Sequence, residues 1–266
     1  MKLAILAAAG RSGRRITEEA LRRGHEVTAF VPRIDEYRGE VPGGITVREK
    51  TILDLTPGDL APFDAVVDCF GVWREENGQM HTETLLHLAG CLTGTGVHLL
   101  VIGGAGGLWA DGTHTRRFHE TPGFPADTRA VSAAQARSYD ALTKTALTDY
   151  TYLAPNGLYL PDAPRTGKYV LAGEEIVPAP GAVPPLHFIS YADFAVAMLD
   201  LAEAGAKGRR RLSVYHDDGA EKAKDGAEGT KKTAAAGAEE QAGAAGKTGK
   251  TTGRCRGNEP FSRNHL

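Results

Sequence analysis

The first residues able to do chemistry are Ala7-Ala8-Ala9-Gly10-Arg11-Ser12-Gly13. Their glycines are spaced where a main chain must come close to an anion. Glycine allows this because it lacks a Cβ and tolerates positive φ. The chemistry is non-covalent: unpaired N–H groups at a helix start, aided by the positive end of its dipole, hold a phosphate. Read as G-x-x-G-x-x-G, the loop keeps the last two glycines and has Ala7 at the first position. If that position needs positive φ, alanine there costs about 1 kcal/mol. Such a cost weakens a site without abolishing it.

The flanking elements supply the frame. Residues 2–6 are an apolar strand, and residues 14–23 are a helix whose narrow apolar face is Ile16, Ala20 and Leu21. Gly24 ends that helix as a C′ residue, and residues 26–31 form the next strand. Strand, glycine turn, helix and strand together point to a dinucleotide site, with Gly10 allowing backbone approach and Gly13 allowing helix–strand packing. The apolar core after Lys2 is short for a secretory signal, and a glycine turn and charged helix follow it directly. The second strand ends Phe30-Val31-Pro32-Arg33, with no acid at its tip to hold a ribose 2′-hydroxyl. Arg11 and Arg33 would face a 2′-phosphate, which favours NADPH over NADH. Asp35 and Glu36 are close enough to compete for Arg33.

Further strands are expected at residues 45–48, 64–70, 97–103 and 150–154, and helices at 80–91 and 132–147. This alternation implies an α/β Rossmann-like fold, a doubly wound parallel sheet. Past Pro155 the pattern loosens. Residues 168–171 and 174–177 read as a small hairpin, Ser190 with Asp193 as a helix cap, and residues 212–215 as a closing strand. From Asp217 to Arg254 there is no branched aliphatic, Met or aromatic residue. The expected organisation is one domain over residues 1–216 and a disordered low-complexity tail over 217–266.

The 266-residue chain has a formal net charge of −2, which gives no electrostatic case for nucleic acid, and no apolar run is long enough to span a bilayer. Cys69, Cys91 and Cys255 match no metal or disulfide spacing, as expected of a reduced cytoplasmic setting. Asp111, His114 and His119 match no metal pattern. Short-chain dehydrogenases place a serine after the fifth strand and Tyr-x-x-x-Lys on the next helix. Here Gly103-Gly104 follows that strand, and Tyr139 and Lys144 are one residue too far apart. That argues against alcohol–ketone chemistry. Hydride transfer to a flavin or another conjugated acceptor needs mainly stacking and orientation, for which Trp73, Leu108, Trp109 and Tyr159 are candidates.

Several blocks carry a family likeness: AAAGRSG at 7–13, DAVVDCFGVW at 64–73, LLVIGGAGGL at 99–108, DYTYLAPNGLY at 149–159, PRTGKYVLAGEE at 164–175 and ISYADFAVAMLD at 189–200. In these the chain resembles the atypical short-chain dehydrogenase-like NAD(P)H-binding proteins. That group includes NADH-flavin reductase-like members and is related to biliverdin reductase B and to redox sensors of the nitrogen-metabolite-repressor type. The resemblance implies that Ala9, Gly10, Arg11, Ser12 and Gly13 form the cofactor loop, with the last four on the pyrophosphate. It puts Phe70 and Gly71 on the adenosine side, Gly103 and Gly104 on the nicotinamide side, and Pro155 and Asn156 in the pocket wall. Ala7 and Ala9 depart from the family's Gly and Thr. Lys50-Thr51 replaces a Gly-Asp that helps fix the adenine. Two functions fit: an NADPH-dependent oxidoreductase with a flavin-like small-molecule acceptor, or a non-catalytic NAD(P)-binding redox sensor. The protein is expected to be a monomer or a small homo-oligomer.

Overall fold

A computed structural model describes residues 1–37, 43–179, 181, 186–205 and 207–217. The expected disorder of 217–266 therefore falls, but for Asp217, outside the described residues.

The chain runs β1 (Lys2–Leu6), α1 (Arg11–Arg22), β2 (Glu26–Val31), β3 (Ile45–Glu49), α2 (Pro57–Leu60), β4 (Ala65–Asp68), α3 (Met80–Leu92) and β5 (His98–Ile102). It continues with α4 (Ala126–Leu142), β6 (Tyr150–Pro155), β7 (Leu158–Leu160), β8 (Tyr169–Ala172), β9 (Phe188–Ser190), α5 (Tyr191–Glu203) and β10 (Arg209–His216). Eight strands form one sheet in the order β3-β2-β1-β4-β5-β6-β10-β8. All its pairs are parallel except β10 with the edge strand β8. This is the doubly wound Rossmann-like order, and its direction reverses between β1 and β4, where such sheets bind ligands.

Alternation along the strands explains the two cores. Leu3 and Ile5 of β1, Val67 of β4 and Leu100 of β5 face α1 and α5. Ala4 and Leu6 of β1, Val66 of β4, and Leu99 and Val101 of β5 face α3 and the helical turns around it. A sheet covered on both faces must be apolar throughout, which is why these strands read as continuous hydrophobic runs.

Buried charge anchors α1. Burial pushes the Glu19 carboxyl up, but hydrogen bonds from Arg22, Arg165 and Arg23 outweigh it and bring it down to about 2. Arg23 also reaches α5, donating to Asp200 at 2.7 Å and Glu203 at 2.8 Å.

The elements differ from expectation in four places. First, α1 starts at Arg11, not residue 14, because Gly13 belongs to its first turn. Second, α4 spans Ala126–Leu142, not 132–147. Pro125 precedes its first residue, and at its far end Thr143 and Thr145 turn their hydroxyls onto the carbonyls of Asp140 and Leu142. Third, no hairpin joins 168–171 to 174–177. Tyr169–Ala172 pairs with β10, while Glu174 and Ile176 exchange main-chain hydrogen bonds with Trp109. Fourth, β10 extends back to Arg209, three arginines having masked its start. The Ser190 cap is as expected: its Oγ accepts from Asp193 N at 2.9 Å.

Candidate functional site

The loops after β1, β2, β4, β5 and β6 open at the same end of the sheet. Directly after β1, Ala7 has φ of 51°, the left-handed conformation that favours glycine. Its carbonyl accepts from Gly10 N at 3.0 Å, closing a tight turn. Gly10 then caps α1 without a side-chain hydrogen bond, and no acidic residue stands in the first turn. The leading amides of the helix thus receive no side-chain cap from Gly10. Gly13 is required for packing: a Cβ there would lie 2.6 Å from the Ala7 oxygen and 2.8 Å from Ala8 Cα. Arg14 Nε donates to the Ala9 carbonyl at 2.9 Å and steadies the turn.

Two aromatic rings flank this loop. Ser12 Oγ and the Tyr159 hydroxyl are 3.0 Å apart. The Tyr159 ring stacks on Tyr191 with centroids 3.8 Å apart and leans on Phe194 at 5.0 Å. Burial pushes the Tyr191 phenol up, and the nearby Arg11 charge acts against that rise. Burial pushes the Tyr159 phenol up, so it stays protonated.

Beyond β2 Arg33 is exposed and pairs with Asp35 at 3.3 Å, the competition expected from the sequence. Lys50 donates to Asp59 at 2.7 Å and Thr51 to Asp54 at 2.6 Å, so both are held within the protein. At the end of β4, burial raises the Asp68 carboxyl to about 6, against the lowering effect of the Phe70 N–H, which donates to it at 3.0 Å. Phe70 meets the His81 ring edge-on at 5.7 Å, and Gly71 is exposed beside it. Trp73, on the same loop, is 75% exposed.

On the opposite side, Gly103 lies over the Tyr152 ring, where a Cβ would come within 2.2 Å of a ring carbon. A Cβ at Gly104 would likewise come within 2.2 Å of Gln135 Oε1. Gln135 and Ser132 of α4 thus border the β5 loop, a proximity that local sequence does not reveal. Pro155 ends β6. Asn156 is buried and donates both amide hydrogens inward, to the Glu175 carbonyl and Ser213 Oγ, each at 2.8 Å, while its oxygen accepts from Val177 N. It braces the loop and has no hydrogen left for a ligand.

The proposed stacking residues separate. Trp73 is open to solvent, Leu108 is fully buried, and the Trp109 ring is covered by the Arg117 guanidinium at 3.5 Å and by His114 at 5.3 Å. Tyr159, on β7, reaches the glycine turn through Ser12. Tyr139 lies against Tyr152 under Arg211, and Lys144 falls beyond the end of α4, so the two form no catalytic pair. At the other end of the sheet Thr151, His98 and Asp149 line up as hydroxyl, imidazole and carboxylate at 3.0 and 2.6 Å. Thr151 is only 1% exposed, which closes that arrangement to any substrate. Among the described residues no group of His, Cys, Asp and Glu could hold a metal, and no helix is long and apolar enough to cross a membrane.

A model of NAD(P)H-binding proteins matches residues 7–204, which include the whole crevice. The chain belongs to that NAD(P)H-binding family. It is 35% identical over 219 residues to the uncharacterised protein YwnB of Bacillus subtilis, covering 82% of this chain and 99% of that one. A crystal structure from Streptococcus pneumoniae, provisionally named an NADH-flavin reductase, is 36% identical with a TM-score of 0.73, covering 82% of this chain and all of that one. A Lactobacillus casei protein is 28% identical with a TM-score of 0.72, over 82% and 100% of the two chains. A nicotinamide cofactor and a Rossmann-like sheet follow from the family.

Proposed function

We propose that the protein is an NADPH-dependent oxidoreductase that reduces a flavin or a similar conjugated acceptor. The uncapped start of α1 behind the left-handed Ala7 turn carries this reading, because it supplies free amides and a dipole end where a diphosphate fits. Arg11 and Arg33 favour the 2′-phosphate. The exposed Arg33–Asp35 pair is worth about 0–1 kcal/mol, so a phosphate dianion making charge-assisted hydrogen bonds displaces Asp35.

When bound, NADPH supplies the hydride. The residues of the chain do the holding. Amides of Arg11, Ser12 and Gly13 bind the diphosphate, Phe70 and Gly71 border the adenosine, and the bare backbone at Gly103 and Gly104 lets the nicotinamide ring lie close. Pro155 forms the wall that Asn156 braces. The missing Tyr/Lys pair supports an acceptor that takes its proton from water, and the name of the Streptococcus relative supports the same class.

Fluorescence titration with NADPH, NADP, NADH and NAD in parallel tests the cofactor, and NADPH oxidation with FMN and quinones tests the acceptor. Tightest binding of the 2′-phosphorylated pair and turnover with FMN are expected. Folded protein that binds a nucleotide but turns over none of these acceptors would remove the enzymatic reading.

A further inference from the structure

We propose that Tyr159 is a positioning residue for the cofactor: its hydroxyl donates to Ser12 Oγ and thereby fixes Ser12 as a donor to the diphosphate. The inference rests on the reading that this crevice takes a dinucleotide. Ser12 and Tyr159 are 147 residues apart in sequence, yet their oxygens lie 3.0 Å apart. Two hydroxyls at that distance share one proton, and the second is left to point elsewhere. A serine hydroxyl rotates freely, and a diphosphate needs it as donor, not acceptor. Among the described residues the Tyr159 hydroxyl has no hydrogen-bond partner but Ser12, so its hydrogen goes there; that donation occupies a lone pair of Ser12 and leaves the serine hydrogen for the anion.

The geometry is held from outside the loop. Tyr159 lies on β7 opposite Ile189 of β9, and its ring is fixed between Tyr191 and Phe194. The Tyr191 phenol lies near the charge of Arg11, the preceding loop residue. The aromatic stack thus holds the partner of Ser12 in place at the start of α1. The tyrosine thereby acts on the cofactor through Ser12, and it does not form the acceptor platform.

The test is a double-mutant cycle of Tyr159→Phe and Ser12→Ala, read by titration with NADPH, NADP and ADP-ribose, all of which contain the diphosphate. Tyr159→Phe keeps the ring stack and should weaken all three by about 3- to 10-fold. Ser12→Ala should weaken them similarly, and the double variant should bind no worse than Ser12→Ala alone. Unchanged binding in Tyr159→Phe, or losses that add in the double variant, would overturn the relay. Replacing Tyr159 by 3-fluorotyrosine preserves the packing and strengthens the donor, and it should tighten binding; unchanged or weaker binding also overturns the proposal. If the unaltered protein binds none of the three, the dinucleotide reading falls and takes the relay with it. If it binds them and only the cycle fails, the relay alone is wrong.

Discussion

At the scale of single residues, two features of the crevice act against stability. Ala7 holds a φ of 51° that its methyl group disfavours. Ala7→Gly should raise stability by about 0.5–1 kcal/mol, the left-handed relief being partly offset by the extra freedom of glycine in the unfolded chain. It should also tighten NADPH binding. Denaturant melts and a titration measure both, and a less stable variant would contradict the strain. Asp68 is the second feature. Its carboxyl titrates at about 6 in the fold and near 3.9 when unfolded. Below both values each state holds the proton and no penalty arises. As pH rises through that window the unfolded chain ionises first, so stability falls by about 2–3 kcal/mol and then levels off. Asp68→Asn keeps an acceptor for the Phe70 amide and should remove this fall, which melts between pH 4 and 8 would show. The glycine turn was legible because its demands are local. The burial of Asp68 was legible too, because it sits in an apolar strand; the meeting of Ser12 with Tyr159 was not, because it joins chain segments far apart in sequence.

At the scale of elements, close packing of α1 on β1 decides whether the phosphate loop exists. Gly13→Ala would place a methyl within 2.6–2.9 Å of three backbone atoms of residues 7 and 8. Backbone cannot swing aside as a flexible side chain does, so the expected cost is about 1–3 kcal/mol together with loss of nucleotide binding. A melt unchanged from wild type would show that the helix tolerates a shift. The apolar faces of α1 and α5 were readable from their 3.6-residue period, and the main strands from their hydrophobic runs. The ends of α4 were not, because Ala146 and Leu147 prolong its apolar period past Leu142, while the hydroxyls of Thr143 and Thr145 turn back onto the last carbonyls. The pairing of Tyr169–Ala172 with β10 was missed because a local turn near Gly173 is compatible with a hairpin, and sheet partners are chosen by tertiary packing.

At the scale of the whole molecule, the last strand of the sheet among the described residues ends at His216, and it lies inside the sheet between β6 and β8. A chain ending at Asp217 should therefore keep its melting temperature to within about 2 °C and its nucleotide affinity unchanged. Calorimetry on the shortened and full chains checks this, and a large drop would give residues 218–266 a role in the fold. The doubly wound order was legible from the βαβ rhythm.

The chain has two tryptophans, in contrasting surroundings. Trp73 stands in water on a crevice loop, and Trp109 is wedged between an imidazole and a guanidinium. Iodide should quench the first selectively, leaving the second as an internal standard. Occupancy of the crevice then becomes a ratio of two emissions, independent of protein concentration, and shielding of the quenchable fraction would report a nucleotide settling beside the Trp73 loop before any turnover is seen.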